Sequence, residues 1–194
     1  KEIYSYGGKR ITVAALPGFD RGYFRAKMPG LDKTEENEIF TQYIDTLIKG
    51  LKAQCPTSIP SVLVTHYTVE GANMESGQTV FFSQFEPCVY LPTLQAADFD
   101  LSLFGHIHRP QQLSDCKNAF YCGAVSQLNF NDENQQRGFY IHELNEGNCE
   151  LVNSKFIELP TRKFQTVHLN QGDIKDFNER GSFYSDTGAL MLRP

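Results

Sequence analysis

The chain has no Cys-x-x-Cys pair. Its five cysteines, Cys55, Cys88, Cys116, Cys122 and Cys149, are odd in number and widely scattered, so neither a zinc ribbon nor a dithiol redox motif is indicated. No apolar run reaches the length of a membrane span and these residues show no signal-peptide pattern, so a reducing cytoplasm is the expected compartment. Nor is there a basic excess. Eighteen Lys and Arg against 23 Asp and Glu give a net charge of −5 at pH 7, which argues against the chain-wide basic surface of many nucleic-acid binders. Metal ions and a local Lys/Arg cluster can still neutralise phosphate inside an acidic chain. The 194 residues, 40% hydrophobic, are enough to bury one substantial core in one or two domains.

Against that background one stretch carries most of the information. Gly105-His106-Ile107-His108 follows the apolar run 99–104 and precedes Arg109-Pro110-Gln111. In extended backbone, side chains at i and i+2 point the same way, so His106 and His108 can share one metal ion or reach two adjacent ones. Gly105 lets the chain turn as it leaves the strand. A second apolar run, Val62-Leu63-Val64, ends in Thr65-His66 and hangs another histidine from the carboxyl end of a parallel strand. Open α/β sheets bind ligands at that edge. A lone histidine there is ordinarily a capping or surface residue, but adjacent solvated imidazoles stabilise nothing, and three at strand ends point to metal. Imidazole suits zinc, manganese, iron or nickel, and the three ligands do not choose among them.

The pattern around these motifs is α/β. Residues 3–6 and 9–16 flank Gly7-Gly8, a two-residue hairpin signal. Residues 17–30 read as a loop bearing Arg21, Arg25 and Lys27, with Lys33 close by. Thr34 is placed to cap a helix in which Phe40, Ile44, Leu47, Ile48 and Leu51 recur at helical spacing, with Glu35, Glu36 and Glu38 in its first turns. Pro56 and Pro60 end it before the His66 strand, an α-to-β crossover. Residues 71–77 read as a loop over the site. Phe81, Phe82, Phe85, Val89 and Leu91 are packing residues interrupted by Pro87 and Pro92. Residues 138–144 and 149–159 form an antiparallel hairpin, with His142 structural. Beyond Pro160, residues 163–169 and the start of 188–192 read as strands around a polar 173–179, with Gly172-Asp173 a turn and His168 structural.

The order Thr65-His66, then Gly105-His106-Ile107-His108, resembles the last two metal motifs of the calcineurin-like metallophosphoesterases. The flanks resemble the SbcD-type DNA repair nuclease subunits: His66-Tyr67-Thr68-Val69-Glu70-Gly71-Ala72, Asp98-Phe99-Asp100, Arg109-Pro110-Gln111, Tyr121-Cys122-Gly123-Ala124, Asn129-Phe130 and Glu133. The superfamily's earlier motifs, Asp-x-His, Gly-Asp and Gly-Asn-His-Asp, are absent from the positions before His66. Residues 1–16 resemble the hairpin and strand that follow Gly-Asn-His-Asp, so the chain is expected to start in mid-domain.

The resemblance implies a partial layered α/β sandwich over residues 1–159, the carboxyl-terminal half of a nuclease domain, and the beginning of a small α+β capping domain over 160–194. It implies two divalent metal ions, manganese by preference, with His66 and His106 on one and His108 on the other. The family's proton donor belongs to an absent motif, so no catalytic acid is assigned. Arg109 is a candidate phosphate contact, with Gln111 and Asn129 behind it. At Ala124 such sequences commonly carry serine, which removes a hydroxyl, while Gly123 still allows close backbone approach. The implied activity is phosphodiester hydrolysis at DNA ends, by a homodimer working beside an SbcC-like ABC-type ATPase, with no membrane partner. The alternatives are a metallophosphoesterase for phosphoproteins or small phosphoesters, and a non-catalytic remnant. Cut in mid-domain, the sheet is expected to expose the apolar faces of Ile11, Val13, Val62, Val64, Leu101 and Leu103 and to be inert by itself.

Overall fold

The computed structural model describes residues 1–18, 21–72, 87–166 and 190–191. Residues 73–77 of the expected loop, Phe81, Phe82, Phe85, His168, Gly172-Asp173 and the polar stretch 173–179 lie outside these residues. The protein is α/β, built on a mixed six-stranded sheet.

β1 (Glu2–Tyr6) and β2 (Lys9–Leu16) form the hairpin that Gly7-Gly8 signals, both glycines taking positive φ. The chain then passes through α1 (Arg21–Lys27) and α2 (Lys33–Ala53) to β3 (Ser61–Thr65), which lies parallel to β2. Helix α1 corrects the reading of 17–30 as a loop. Pro17 and Pro29 bracket this short helix instead of breaking it, and the Arg25 guanidinium, 2.7 Å from Glu36, ties it to the first turns of α2.

The cap of α2 is also corrected, from Thr34 to Asp32. The Asp32 carboxylate accepts from the N–H groups of Thr34 and Glu35 at 2.7 and 2.9 Å, and Glu35 accepts from Asp32 N–H at 3.0 Å. This reciprocal box satisfies donors that the helix leaves open, which Thr34, already inside the first turn, cannot do. The inward face buries Phe40, Ile44 and Ile48, the residues that the spacing selects, at about 1.5–3 kcal/mol each.

After β3 come two short parallel strands, β4 (Thr68–Val69) and β5 (Cys88–Val89), and α3 (Leu91–Ala97). Pro92 lies in the first turn of α3, where no N–H partner is lost, so the residue read as interrupting an apolar packing stretch starts a helix. Asp98, at φ 51°, closes α3 in the left-handed conformation. β6 (Leu101–Phe104) pairs parallel to β3, and β8 (Cys116–Tyr121) parallel to β6, with β7 (Gln111–Leu113) antiparallel at the edge. At the amino edge, Asp100 accepts from Ser61 N–H at 2.7 Å and Ser61 Oγ at 2.6 Å, locking the β3–β6 register.

The register assigns the two faces. Ala14, Leu16, Leu63, Phe104, Ala119 and Tyr121 pack under α2 and α3. On the other face Val62, Leu101 and Phe120 are covered by the antiparallel hairpin of β9 (Gly138–Leu144) and β10 (Leu151–Glu158) through Tyr140, Leu144 and Leu151. The expectation of a uniformly exposed apolar face is therefore corrected: Val62 and Leu101 are 4% and 3% exposed, because the hairpin folds back over them. Ile11, Val13 and Leu103 are half-buried, and Val64, at the carboxyl end of β3, is 39% exposed. Further on, β11 (Gln165–Thr166) pairs parallel to β12 (Leu190–Met191), within the two stretches read as strands. Among the described residues no helix is long and apolar enough to cross a membrane.

Two measurements check this packing. A Cβ on Gly138 would lie 2.0 Å from the Ile157 carbonyl oxygen, which is backbone and cannot swing aside. Gly138→Ala is expected to lower the urea unfolding free energy by about 1–3 kcal/mol as β9 and β10 are forced apart. His142 stacks on Tyr140, meets Phe120 edge-on at 4.7 Å and shares a 2.8 Å hydrogen bond with Ser154. Burial holds its pKa below the ordinary value, so the folded state binds the proton less readily than the unfolded chain. Its contribution is complete above the unfolded pKa near 6.5 and is lost as pH falls through the depressed folded value. Urea midpoints at pH 7.5 and 5.5 should fall more for wild type than for His142→Gln; equal falls would refute this account.

Candidate metal centre

Parallel pairing brings the carboxyl ends of β2, β3 and β6 to one edge, and the residues that follow them are Pro17, His66 and Gly105. Polar contacts draw these exits together. Thr65 Oγ1 donates to the Leu16 carbonyl at 2.9 Å, and Tyr67 OH donates to the Pro17 carbonyl at 3.1 Å. The buried Tyr121 hydroxyl donates to the Tyr67 carbonyl at 3.0 Å and accepts from Val69 N–H at 2.6 Å. Gly105 N–H donates to the Thr65 carbonyl at 2.9 Å, carrying the β3–β6 pairing one step past the strands.

That step places Gly105 against His66. A Cβ on Gly105 would stand 2.4 Å from His66 Nδ1, so only glycine leaves room for the ring. Glycine is needed here for space, not for a turn: its φ is not positive, and the turn falls on His106 at φ 86°. A non-glycine residue held in that region costs of order 1–3 kcal/mol and persists only where its surroundings impose it. The conformation sets the His106 ring edge-to-face with His66, centroids 5.5 Å apart. Burial, then the neighbouring His106 and His108, lower the pKa of His66. Its neutral form is thereby favoured, and a neutral imidazole keeps a lone pair for a metal ion.

His108 lies deeper, its side chain 28% exposed. Behind it is a single 3-10 turn, Phe130–Asp132, whose Asp132 is fully buried. Asp132 Oδ1 is 3.6 Å from His108 Nδ1 and 2.6 Å from Arg137 Nη2. Arg137, 2% exposed, also donates through Nη1 to the His108 carbonyl, which accepts from Ala124 N–H at 3.0 Å as well. Gly123 passes behind this region at φ 75°, and a Cβ there would strike Pro110 at 2.8 Å.

The structure thus gathers His66, His106 and His108 at one edge. Arg109 follows His108 there, half-buried, while Gln111 begins β7. The Asn129 side chain accepts from Asn131 N–H at 2.9 Å and caps the 3-10 turn. Sequence reasoning missed Asp132 and Arg137. The only signal was an arginine directly before a strand, and arginine is read by default as surface. Among the described residues no group of three or more His, Cys, Asp or Glu is arranged to hold a metal ion. His66 and His106 are neighbouring nitrogen donors, with His66 biased to the neutral form, and the three imidazoles bring no carboxylate with them. Comparison with protein-family models and with curated proteins returned no match.

Gly105→Ala should displace the His66 ring. The expected result is loss of the His66–His106 inter-ring NOE and a fall in Mn²⁺ affinity of about tenfold or more, one tenfold step being about 1.4 kcal/mol. An unchanged NOE would show that the ring does not depend on the missing Cβ.

Proposed function

We propose that this chain is the histidine-bearing part of a metallophosphoesterase nuclease domain of the SbcD type, a partial layered α/β sandwich, with a capping domain beginning near residue 160. The observation that supports it most is the fit of His66 into the space left by Gly105, with the strained His106 beside it, at the carboxyl edge of parallel strands. Sheet edges of this kind are where α/β proteins place ligands, and backbone strain gathers at functional sites. His66 and His106 would hold one divalent ion and His108 the other, manganese in both positions. When bound, such a pair of ions activates a water and neutralises the non-bridging phosphate oxygens.

The chain's own residues orient and neutralise. The imidazoles hold ions without cancelling their charge, and Arg109, next to His108, is the candidate phosphate contact. Because all three ligands are neutral, the bridging carboxylate comes from outside this set. The open end of the sheet face at Val64, two residues before His66, supports a further layer covering that side. The substrate in this reading is a DNA end, and the partners are a second copy of the protein and an ABC-type ATPase bound mainly carboxyl-terminal to these residues, in the cytoplasm. The net charge of −5 favours the competing substrate class, small phosphoesters or phosphoproteins.

The test compares linear duplex DNA with bis(p-nitrophenyl) phosphate and a phosphopeptide, using Mn²⁺ and a polypeptide that joins these residues to the carboxylate motifs. Duplex cleavage is expected, falling about a hundredfold or more in His66→Ala, His106→Ala and His108→Ala, on the scale seen when a group that organises charge at the reacting centre is removed. Turnover of the small substrates alone would favour the competing class. Mn²⁺-dependent nuclease activity from a polypeptide confirmed by mass to span only Lys1 to Pro194 would refute the external carboxylate.

A further inference from the structure

We infer that the buried Asp132–Arg137 pair is a positioning device for His108, fixing which imidazole nitrogen is presented to the metal edge; this rests on the metal reading of His108 above. The pair is 2.6 Å apart, and both side chains are 1% exposed. Burying two charges is costly, and apolar residues of similar volume generally sustain a fold as well, so such a pair is poorly explained by stability alone. Its contacts show what it is built around. Arg137 Nη1 donates to the His108 carbonyl and holds the backbone, while Nη2 reaches Gln135 Oε1 at 3.3 Å. Asp132 Oδ2 accepts from Leu128 N–H at 2.8 Å, which leaves Oδ1 between the guanidinium and the His108 ring, 3.6 Å from Nδ1.

At 3.6 Å the contact is longer than a hydrogen bond, so the buried carboxylate acts on the ring through its charge, which favours the proton on the nitrogen that faces it. Asp132 therefore selects the Nδ1–H tautomer of His108 and turns the Nε2 lone pair away from the protein interior. Partners of this kind behind a histidine ligand orient it and raise its basicity, and their loss typically costs 10–100-fold in metal affinity. Asp132 is a positioning residue in this scheme, acting through His108, and Arg137 positions Asp132 and the His108 backbone together.

The full chain labelled with ¹⁵N-histidine gives a direct readout, since it contains only five histidines. Two-bond ¹H–¹⁵N spectra of the metal-free protein at pH 7.5, assigned with single His→Gln variants, should show His108 as Nδ1–H. Asp132→Asn should shift it toward Nε2–H and lower Zn²⁺ affinity by about 10–100-fold in calorimetric titration. Zn²⁺ serves as the probe because it binds nitrogen donors more tightly than Mn²⁺. If Asp132→Asn fails to fold with Arg137 left uncompensated, Asp132→Leu combined with Arg137→Met removes acceptor and charge together and should show the same two shifts. An Nε2–H tautomer in the wild-type protein overturns the proposal whatever metal does. So does unchanged Zn²⁺ affinity in the Asp132 variants when His108→Ala loses it. Absence of Zn²⁺ binding by wild type refutes the metal reading instead, and the tautomer still decides whether Asp132 sets the ring.

Discussion

The hydrogen bond from Gly105 N–H to the Thr65 carbonyl, 2.9 Å long, is the rung on which the histidine edge depends. It extends the β3–β6 pairing past the last strand residues, so two chains that leave the sheet remain in register for one further step. Because Gly105 has no side chain, the adjoining space takes the His66 ring, and the turn the chain must still make falls on His106. Lengthening that rung would relax the His106 backbone, open the space against His66 and separate the rings at once. The strain at φ 86° is thus the local result of keeping two exits paired while turning away from the sheet.

Charge is arranged around this edge in two layers. The outer layer is three imidazoles, with His66 biased toward neutrality by burial and by its two neighbours. The inner layer is the ionic pair of Asp132 and Arg137, enclosed by the protein and hydrogen-bonded to backbone groups of Leu128 and His108. The buried ionic pair therefore lies behind the edge on which the imidazoles stand.

Much of this was legible in the sequence where one residue property decides the outcome. Gly7-Gly8 specified the first hairpin, the Phe40 to Leu51 periodicity specified the buried face of α2, and apolar runs ending in His66 and Gly105 specified strand ends. Competition between local signals was harder to read. Pro17 and Pro29 suggested a loop although they bracket α1, Pro92 suggested an interruption although it starts α3, and Asp32 outcompeted Thr34 for the cap because of where the first turn falls. What could not be read was burial without an apolar side chain. Asp132 and Arg137 are buried because each answers the other and His108, and a pairing across a turn leaves no periodicity in the sequence. The partial cover of Val62 and Leu101 escaped for a related reason, since it depends on the β9–β10 hairpin returning over a distant face.

The separation in sequence of the groups that draw the exits together has a consequence for the order in which the protein takes shape. Thr65 and Leu16, Tyr67 and Pro17, and Val69 and Tyr121 are bonded across 49, 50 and 52 residues. Each such contact requires a long loop to close before it returns any free energy. Hairpins and α2 can form from neighbours, but the histidine edge exists only once three parallel strands have aligned. A peptide containing either histidine motif by itself has no means of holding its ring in place. Whatever binds at that edge is therefore coupled to the folding of the whole sheet, and its binding energy is shared among strands it never touches.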